Sequence, residues 1–383
     1  MKKVGLIVNP VAGLGGSVGL KGSDGEEVQR RAIALGARPE AGRRAAGALA
    51  PLVKIREKLI LIVCAGEMGE EACKEAGLDP DLVLPVAGCG SLDSHLSLGG
   101  RGGTAPGDTV EAAKRMKEEG VDLLLFAGGD GTARNVFEAV GAGLTVLGIP
   151  AGVKIHSGVF ALNPQSAGAA ALQFLREERP VVQEAEVMDL DEEAYRQGQV
   201  CPKLYGYLTI PHNQRRIQNV KARSSSGEGE LTSIAAQVID DMEKDVYYII
   251  GAGTTTRRIM ECLKLPNTLI GIDVIRNKEL VASDVTESQL WDILQKGDCR
   301  LILTVIGGQG HVFGRGNQQI SPRIIRRLGV ERIQLAAAKR KLLSLPGRRL
   351  TVDTGDPLLD EELKGCWRVT VGAGEQMICR MEL

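Results

Sequence analysis

Residues 121–132, VDLLLFAGGDGT, constrain the fold more than any other stretch of the chain. An apolar run suited to a buried strand stops at Gly128, Gly129, Asp130, Gly131 and Thr132, and a helix-patterned segment, ARNVFEAVGAG, begins at once. This predicts a strand, a tight turn and a helix start. The adjacent glycines admit backbone angles closed to other residues and leave no Cβ to hold a ligand away. The first N–H groups of a helix point outward with partial positive charge, which suits a phosphate. A carboxylate in such a turn repels phosphate, so Asp130 needs a reason of its own. Either it meets a substrate hydroxyl, or a metal ion beside the phosphates, or Asp130 or Thr132 simply caps the helix.

The flanking chain supplies the context. Lys3 to Asn9 reads as a buried parallel strand that runs into Pro10 and a glycine-rich loop. Gly13, Gly15 and Gly19 space as G-x-G-x-x-x-G, one residue longer than a dinucleotide fingerprint, and the region where its acidic partner belongs reads as helical. This loop is either a flap over a nucleotide or an ordinary surface turn. Strands are expected at 59–64, 81–86 and 144–150, with helices at about 68–76 and after a cap at Asp108. Such alternation predicts a parallel sheet with helices on both faces, and ligands bind beyond the carboxyl ends of its strands. Asn9, Gly66 and Gly128 fall at those ends. After the last of these strands comes AGVKIHSGVFALNP, where Lys154 suits a phosphate charge and Ser157 a phosphate hydrogen bond, whereas His156 by itself reads as a packing residue.

A second domain is expected to begin at about residue 161, giving domains 1–160 and 161–383. Asn213 to Glu230 is basic and rich in serine and glycine, as in an exposed loop. Tyr247 to Leu263, YYIIGAGTTTRRIMECL, repeats the strand, small-residue loop and helix of the first motif. Gly253, Thr254, Thr255 and Thr256 could cradle an anion there with Arg257 nearby, or could form only a tight turn with a threonine cap. The fold class expected is therefore α/β, a Rossmann-like parallel sheet followed by an α/β or β-rich C-terminal domain.

Composition excludes several functions. Forty-seven basic against 48 acidic residues leave no electrostatic footprint for nucleic acid, and 3% aromatics give no stacking platform. Eight cysteines form no C-x-x-C pair, and the four histidines do not cluster, so no metal site built by the protein is expected. No run of eighteen apolar residues is present, and the start MKKVGLIVNP has no signal-like apolar region. A protein off the membrane and in the cytoplasm is expected.

At FAGGDGT, with LIVNP before it and GIPAGVKIHSGVFA after it, the sequence resembles the superfamily that joins NAD kinases with diacylglycerol and sphingosine kinases. Over its whole length it looks like the divergent ATP- or polyphosphate-dependent NAD-kinase-like branch. The resemblance implies that Asp130 is the catalytic group, set against the ribose hydroxyl to be phosphorylated. It implies that Gly128, Gly129, Gly131 and Thr132 shape the loop around the phosphoryl donor and the dinucleotide phosphates, and the sequence itself adds Asn9, Asn135, Lys154, Ser157, Gly253, Thr254, Thr255, Thr256 and Arg257 to the expected nucleotide- and phosphate-binding set. It also implies NAD and ATP or polyphosphate as partners and Mg²⁺ with ATP as cofactor; a homo-oligomer is expected besides. The chain departs from the family in having no Asn-Glu pair, and Arg134, Asn135 and Val136 follow the GGDGT turn without a glutamate. Kinases for a lipid or other small hydroxyl, and a non-catalytic nucleotide or sugar-phosphate sensor, are the competing readings.

Overall fold

The computed structural model describes residues 1–16, 18–20, 26–86, 104–152, 155–190, 202–213, 217, 227–268, 271–306, 310–314 and 316–383. Chain contacts divide it into two compact units. The first comprises Met1–Leu14, Gly25–Arg30 and Arg38–Val220; the second comprises Gly15–Asp24, Arg31–Ala37 and Lys221–Leu383.

The first unit is built on five parallel strands: β1 (Lys2–Val8), β2 (Leu59–Cys64), β3 (Leu82–Leu84), β4 (Leu123–Gly128) and β5 (Val146–Pro150). Their near-continuous apolar sequences leave the middle strands covered on both faces, as a parallel sheet between helices requires. The order is β3-β2-β1-β4-β5, so the chain reverses direction across the sheet between β1 and β4. Helices α1 (Glu26–Ala34), α2 (Ala41–Leu49), α3 (Glu70–Glu75), α4 (Pro106–Glu118), α5 (Asp130–Val140) and α6 (Pro164–Arg176) connect the strands. Right-handed crossovers place connections running toward β3 on one face and those running toward β5 on the other. The packing agrees, since α2 contacts α3 and α6 while α4 contacts α5. Phe126 and Phe160 meet edge to face at 5.3 Å in the centre of this core, each ring worth about 1.5–3 kcal/mol in area removed from water.

An antiparallel pair, β6 (Val182–Leu190) and β7 (Pro202–Pro211), also belongs to this unit, although residues beyond 160 had been expected in the second domain. A Cβ on Gly206 would lie 2.1 Å from the Phe137 ring, so β7 packs directly on α5.

Two local readings become specific. The region after the first loop that reads as helical holds two helices, separated by Gly36, Pro39 and their neighbours. Asp108 lies inside the first turn of α4, where its carboxylate accepts from the Ala105 N–H at 2.7 Å, because Pro106 already occupies the first helical position.

The second unit holds a nine-stranded mixed sheet. Its strands are β8 (Tyr247–Ile250), β9 (Asp273–Arg276), β10 (Glu279–Ala282), β11 (Cys299–Leu303), β12 (His311–Phe313), β13 (Ile333–Ala336), β14 (Arg349–Val352), β15 (Gly365–Gly372) and β16 (Glu375–Glu382). The order is β10-β9-β8-β11-β13-β15-β16-β14-β12. Strands β8, β11, β13 and β15 are parallel neighbours, whereas β8–β9, β9–β10 and β15–β16 run antiparallel. Asn277 and Lys278 join β9 to β10 with φ of 53° and 62°, the double left-handed geometry that tight hairpins favour. Its helices are α7 (Glu228–Asp240), α8 (Thr254–Cys262), α9 (Glu287–Ile293), α10 (Pro322–Leu328), α11 (Lys339–Ser344) and α12 (Pro357–Glu362). The expected exposed loop at 213–230 lies largely outside the described residues.

Candidate active site

The reversal of strand order between β1 and β4 opens a crevice where the two chains diverge, the place where open α/β sheets bind ligands. Asn9 leaves β1 on one side of it and Gly128 ends β4 on the other. They are tied across the reversal. Asn9 donates from its backbone N–H to the Ala127 carbonyl at 2.9 Å and from Nδ2 to Thr132 Oγ1 at 3.0 Å. The helix α5 starts directly at Asp130, with Gly129 as its capping residue and no side-chain cap. Neither Asp130 nor Thr132 therefore performs the capping role. The N–H groups of Asp130, Gly131 and Thr132 are left without an intrahelical acceptor, as in any first helical turn.

What occupies the Asp130 carboxylate comes from the next strand. Parallel pairing of β4 with β5 runs to Gly128 beside Pro150, so the segment after β5 returns alongside the turn after β4. The Gly128 carbonyl accepts from Ala151 and Gly152 at 2.9 and 3.0 Å. Gly129 and Gly152 then pass so closely that a Cβ on Gly152 would lie 2.8 Å from the Gly129 Cα. That contact delivers His156 and Ser157 onto Asp130. Asp130 Oδ2 accepts from the His156 backbone N–H at 2.7 Å and lies 3.0 Å from His156 Nδ1. Oδ1 accepts from the Ser157 backbone N–H at 3.0 Å and the Ser157 hydroxyl at 2.7 Å. All three residues are buried, at 6%, 6% and 0% exposure. The Ser157 hydroxyl is also 2.8 Å from the Met188 carbonyl and accepts from the Met188 N–H. Its one proton can serve only one acceptor, and the charged carboxylate is the stronger.

A turn further along α5, Arg134 pairs with Asp189 at 2.9 Å and lies over the Tyr205 ring at 5.4 Å, which fastens β6 and β7 to the helix that carries Asp130. Asn135 is half-buried on the same helix. Lys154 lies outside the described residues.

The other predicted residues form a constellation in the second unit. Strand β8 ends at Ile250, and α8 opens at Thr254 after Gly253, whose φ of 142° is closed to most side chains and whose missing Cβ would strike Thr304 at 2.2 Å. Asn317 holds this loop, accepting from the Ala252 N–H at 3.3 Å and donating to the Val312 carbonyl at 3.1 Å. Thr256 donates its hydroxyl to the Gly253 carbonyl, and Thr255 and Thr256 are buried. Arg257 is exposed and paired with Glu261 at 2.8 Å. Among the described residues no group of three His, Cys, Asp or Glu converges as a metal ligand set, and no helix is long and apolar enough to cross a membrane.

Comparison with known proteins agrees with this arrangement of two units. The ATP-NAD kinase N-terminal domain family matches residues 4–179, and the ATP-NAD kinase C-terminal domain family matches residues 243–381. The chain belongs to the ATP-NAD kinase family. The first match spans the Asp130 turn and the segment that closes on it, and the second spans the Gly253–Arg257 loop. No curated protein matches. Among solved structures, the S. aureus MnaA-UDP co-structure aligns over 88% of this chain and 80% of that one, at 11% identity and a TM-score of 0.25, which is too low to carry an argument.

Sequence reasoning placed the Asp130 turn and did not foresee the part of His156. The pairing spans 26 residues and needs β4 and β5 to be neighbours. The one available signal was that His156 and Ser157 follow closely on the strand expected at 144–150.

Proposed function

We propose that this chain transfers the terminal phosphoryl group of ATP or polyphosphate to the 2'-hydroxyl of the adenosine ribose of NAD, giving NADP. Membership of the ATP-NAD kinase family supports a phosphotransferase acting on a nucleotide. The observation that carries the reading to a site is the buried, fully hydrogen-bonded Asp130 at the strand-order reversal, beside the open N–H groups of α5.

Phosphoryl transfer proceeds through a loose transition state, so positioning and charge neutralisation supply most of the catalysis. In this proposal Asp130 is the fixed point of the acceptor site. Gly131 and Thr132 present backbone N–H groups to phosphate oxygens beside Gly129, Asn9 is tied to the same turn through Thr132, and Asn135 adds a polar side chain further along α5. Lys154 adds charge, and Ser157 holds the carboxylate. Mg²⁺ would enter with the donor as part of that substrate and would offset its phosphate charge. Within the second unit, the turn Gly253–Thr256 with Arg257 is an anion-binding turn in its own right.

Incubation with ATP labelled on its terminal phosphate, Mg²⁺ and a panel of acceptors tests this. Label is expected on NAD. Label on a lipid or a simple polyol, with none on NAD, would move the assignment to another hydroxyl.

A further inference from the structure

The second unit carries a strand-order reversal of its own. The chain leaves β8 for β9 and β10 on one side and returns at β11 on the other side of β8, from where the order continues to β13. Strands β8, β11 and β13 are parallel, so their carboxyl ends share one edge, the edge at which such sheets bind ligands. Helix α8 opens there with nine residues, and the Arg257 N–H is bonded to the Gly253 carbonyl at 2.9 Å. The N–H groups of Thr254, Thr255 and Thr256 precede that bond and have no intrahelical acceptor.

A second observation lies beside this turn. Thr304 directly follows β11 and is 1% exposed, and its hydroxyl is closed to solvent with no hydrogen-bond partner among the described residues. Its side chain faces the turn. A Cβ on Gly253 would lie 2.2 Å from the Thr304 methyl and 3.7 Å from the Thr304 Cβ, the atom that bears the hydroxyl. A buried hydroxyl that bonds to nothing costs stability, so this one calls for a partner that the polypeptide does not supply. At the next residue, the Val305 carbonyl accepts from the ammonium of Lys341, carried on α11 just after β13. Three adjacent strand ends contribute a helix start, an unpaired hydroxyl and a cation.

Resting on the anion reading of this turn given above, we propose that the second unit holds a phosphate site of its own, in which the first turn of α8, the Thr304 hydroxyl and the Lys341 ammonium take the phosphate chain of a nucleotide. The three N–H groups and the hydroxyl donate to phosphate oxygens, and Lys341 supplies a point charge. The bound phosphate is the missing acceptor for Thr304.

Hydrogen exchange of the full chain reads this site locally and without turnover. Inorganic pyrophosphate is the first probe, with ATP and NAD as separate arms; the arm that reproduces its effect names the nucleotide that brings the phosphates. Pyrophosphate is expected to slow exchange of the 254–256 backbone. Thr304→Val keeps the shape and removes the donor, so half-saturation is expected at about tenfold higher pyrophosphate. Its urea midpoint without ligand is expected to be no lower than that of the wild type, because the orphaned hydroxyl is gone. Thr304→Ser retains the hydroxyl and is expected to bind pyrophosphate nearly as the wild type does, whereas Lys341→Gln is expected to weaken it as Thr304→Val does. No protection at 254–256 with any of the three probes, or equal half-saturation in Thr304→Val and wild type, overturns the proposal. Protection at 254–256 without phosphorylation of any acceptor refutes the kinase reading alone, and NADP formation without that protection refutes this site alone.

Discussion

Replacing Asp130 with asparagine is the sharpest perturbation of the site, because it keeps the shape and removes one acceptor oxygen. The new amide NH₂ must face one of the two donor pairs. Against His156 the ring can switch tautomer and accept, which leaves the His156 backbone N–H unpaired. Against Ser157 the hydroxyl can turn its proton to the Met188 carbonyl and accept, which leaves the Ser157 N–H unpaired. Either way one buried donor is orphaned, at about 1–3 kcal/mol, and the remaining bonds lose their charge assistance. We expect Asp130→Asn to lose about 2–3 kcal/mol and Asp130→Ala, which orphans both backbone donors, to lose more. With a urea slope of about 2 kcal/mol per molar, the asparagine variant's midpoint falls by roughly 1 M. Both tryptophans, Trp291 and Trp367, are in the second unit, so their fluorescence does not follow this event. Hydrogen exchange of the 155–158 backbone, with far-UV circular dichroism in urea, is the suitable assay. Equal stability of Asp130→Asn and wild type, or unchanged protection of that backbone, would refute the hydrogen-bond reasoning.

Two further substitutions test the frame. Gly152→Ala places a Cβ 2.8 Å from the Gly129 Cα, and overpacking of this kind should cost about 1–3 kcal/mol and loosen exchange protection at His156 and Ser157; an alanine variant with wild-type protection would show that the close approach is dispensable. In the second unit burial raises the Glu287 carboxyl, but hydrogen bonds from Arg323 and Ser321 and the Arg323 charge outweigh it and hold it below its usual 4.5. A depressed carboxyl contributes stability that is present above the unfolded value and lost as pH falls through the folded one. Urea midpoints of the wild type should therefore drop below about pH 4.5 more steeply than those of Glu287→Gln; parallel curves would remove the pair from the account.

The first unit was legible because its signals are local. Each parallel strand is a short apolar run, and β4 passes into α5 within the GGDGT turn itself. The α/β class and the site of Asp130 followed from that contiguity. The partners of Asp130 did not, because hydrogen bonding across 26 and 27 residues is set by which strands are neighbours. A histidine alone in an apolar segment looks like a core residue until β5 is placed beside β4. Arg134 was read only as a substitute in a family pattern, whereas its partners Asp189 and Tyr205 come from β6 and β7, elements whose attachment to the first sheet no local signal announced. Asp108 shows a smaller version of the same limit: a cap and a first-turn residue differ by three positions, and Pro106 decided between them.

The central claim is that the Asp130 corner carries phosphoryl transfer to NAD. It is tested most directly by NADP formation from NAD, with ATP and Mg²⁺ or with polyphosphate, by the wild-type chain and by Asp130→Asn side by side. The account predicts NADP from the wild type and a loss of kcat of at least about a hundredfold in the variant. Full activity in Asp130→Asn, or no NADP from the wild type with either donor, would contradict it.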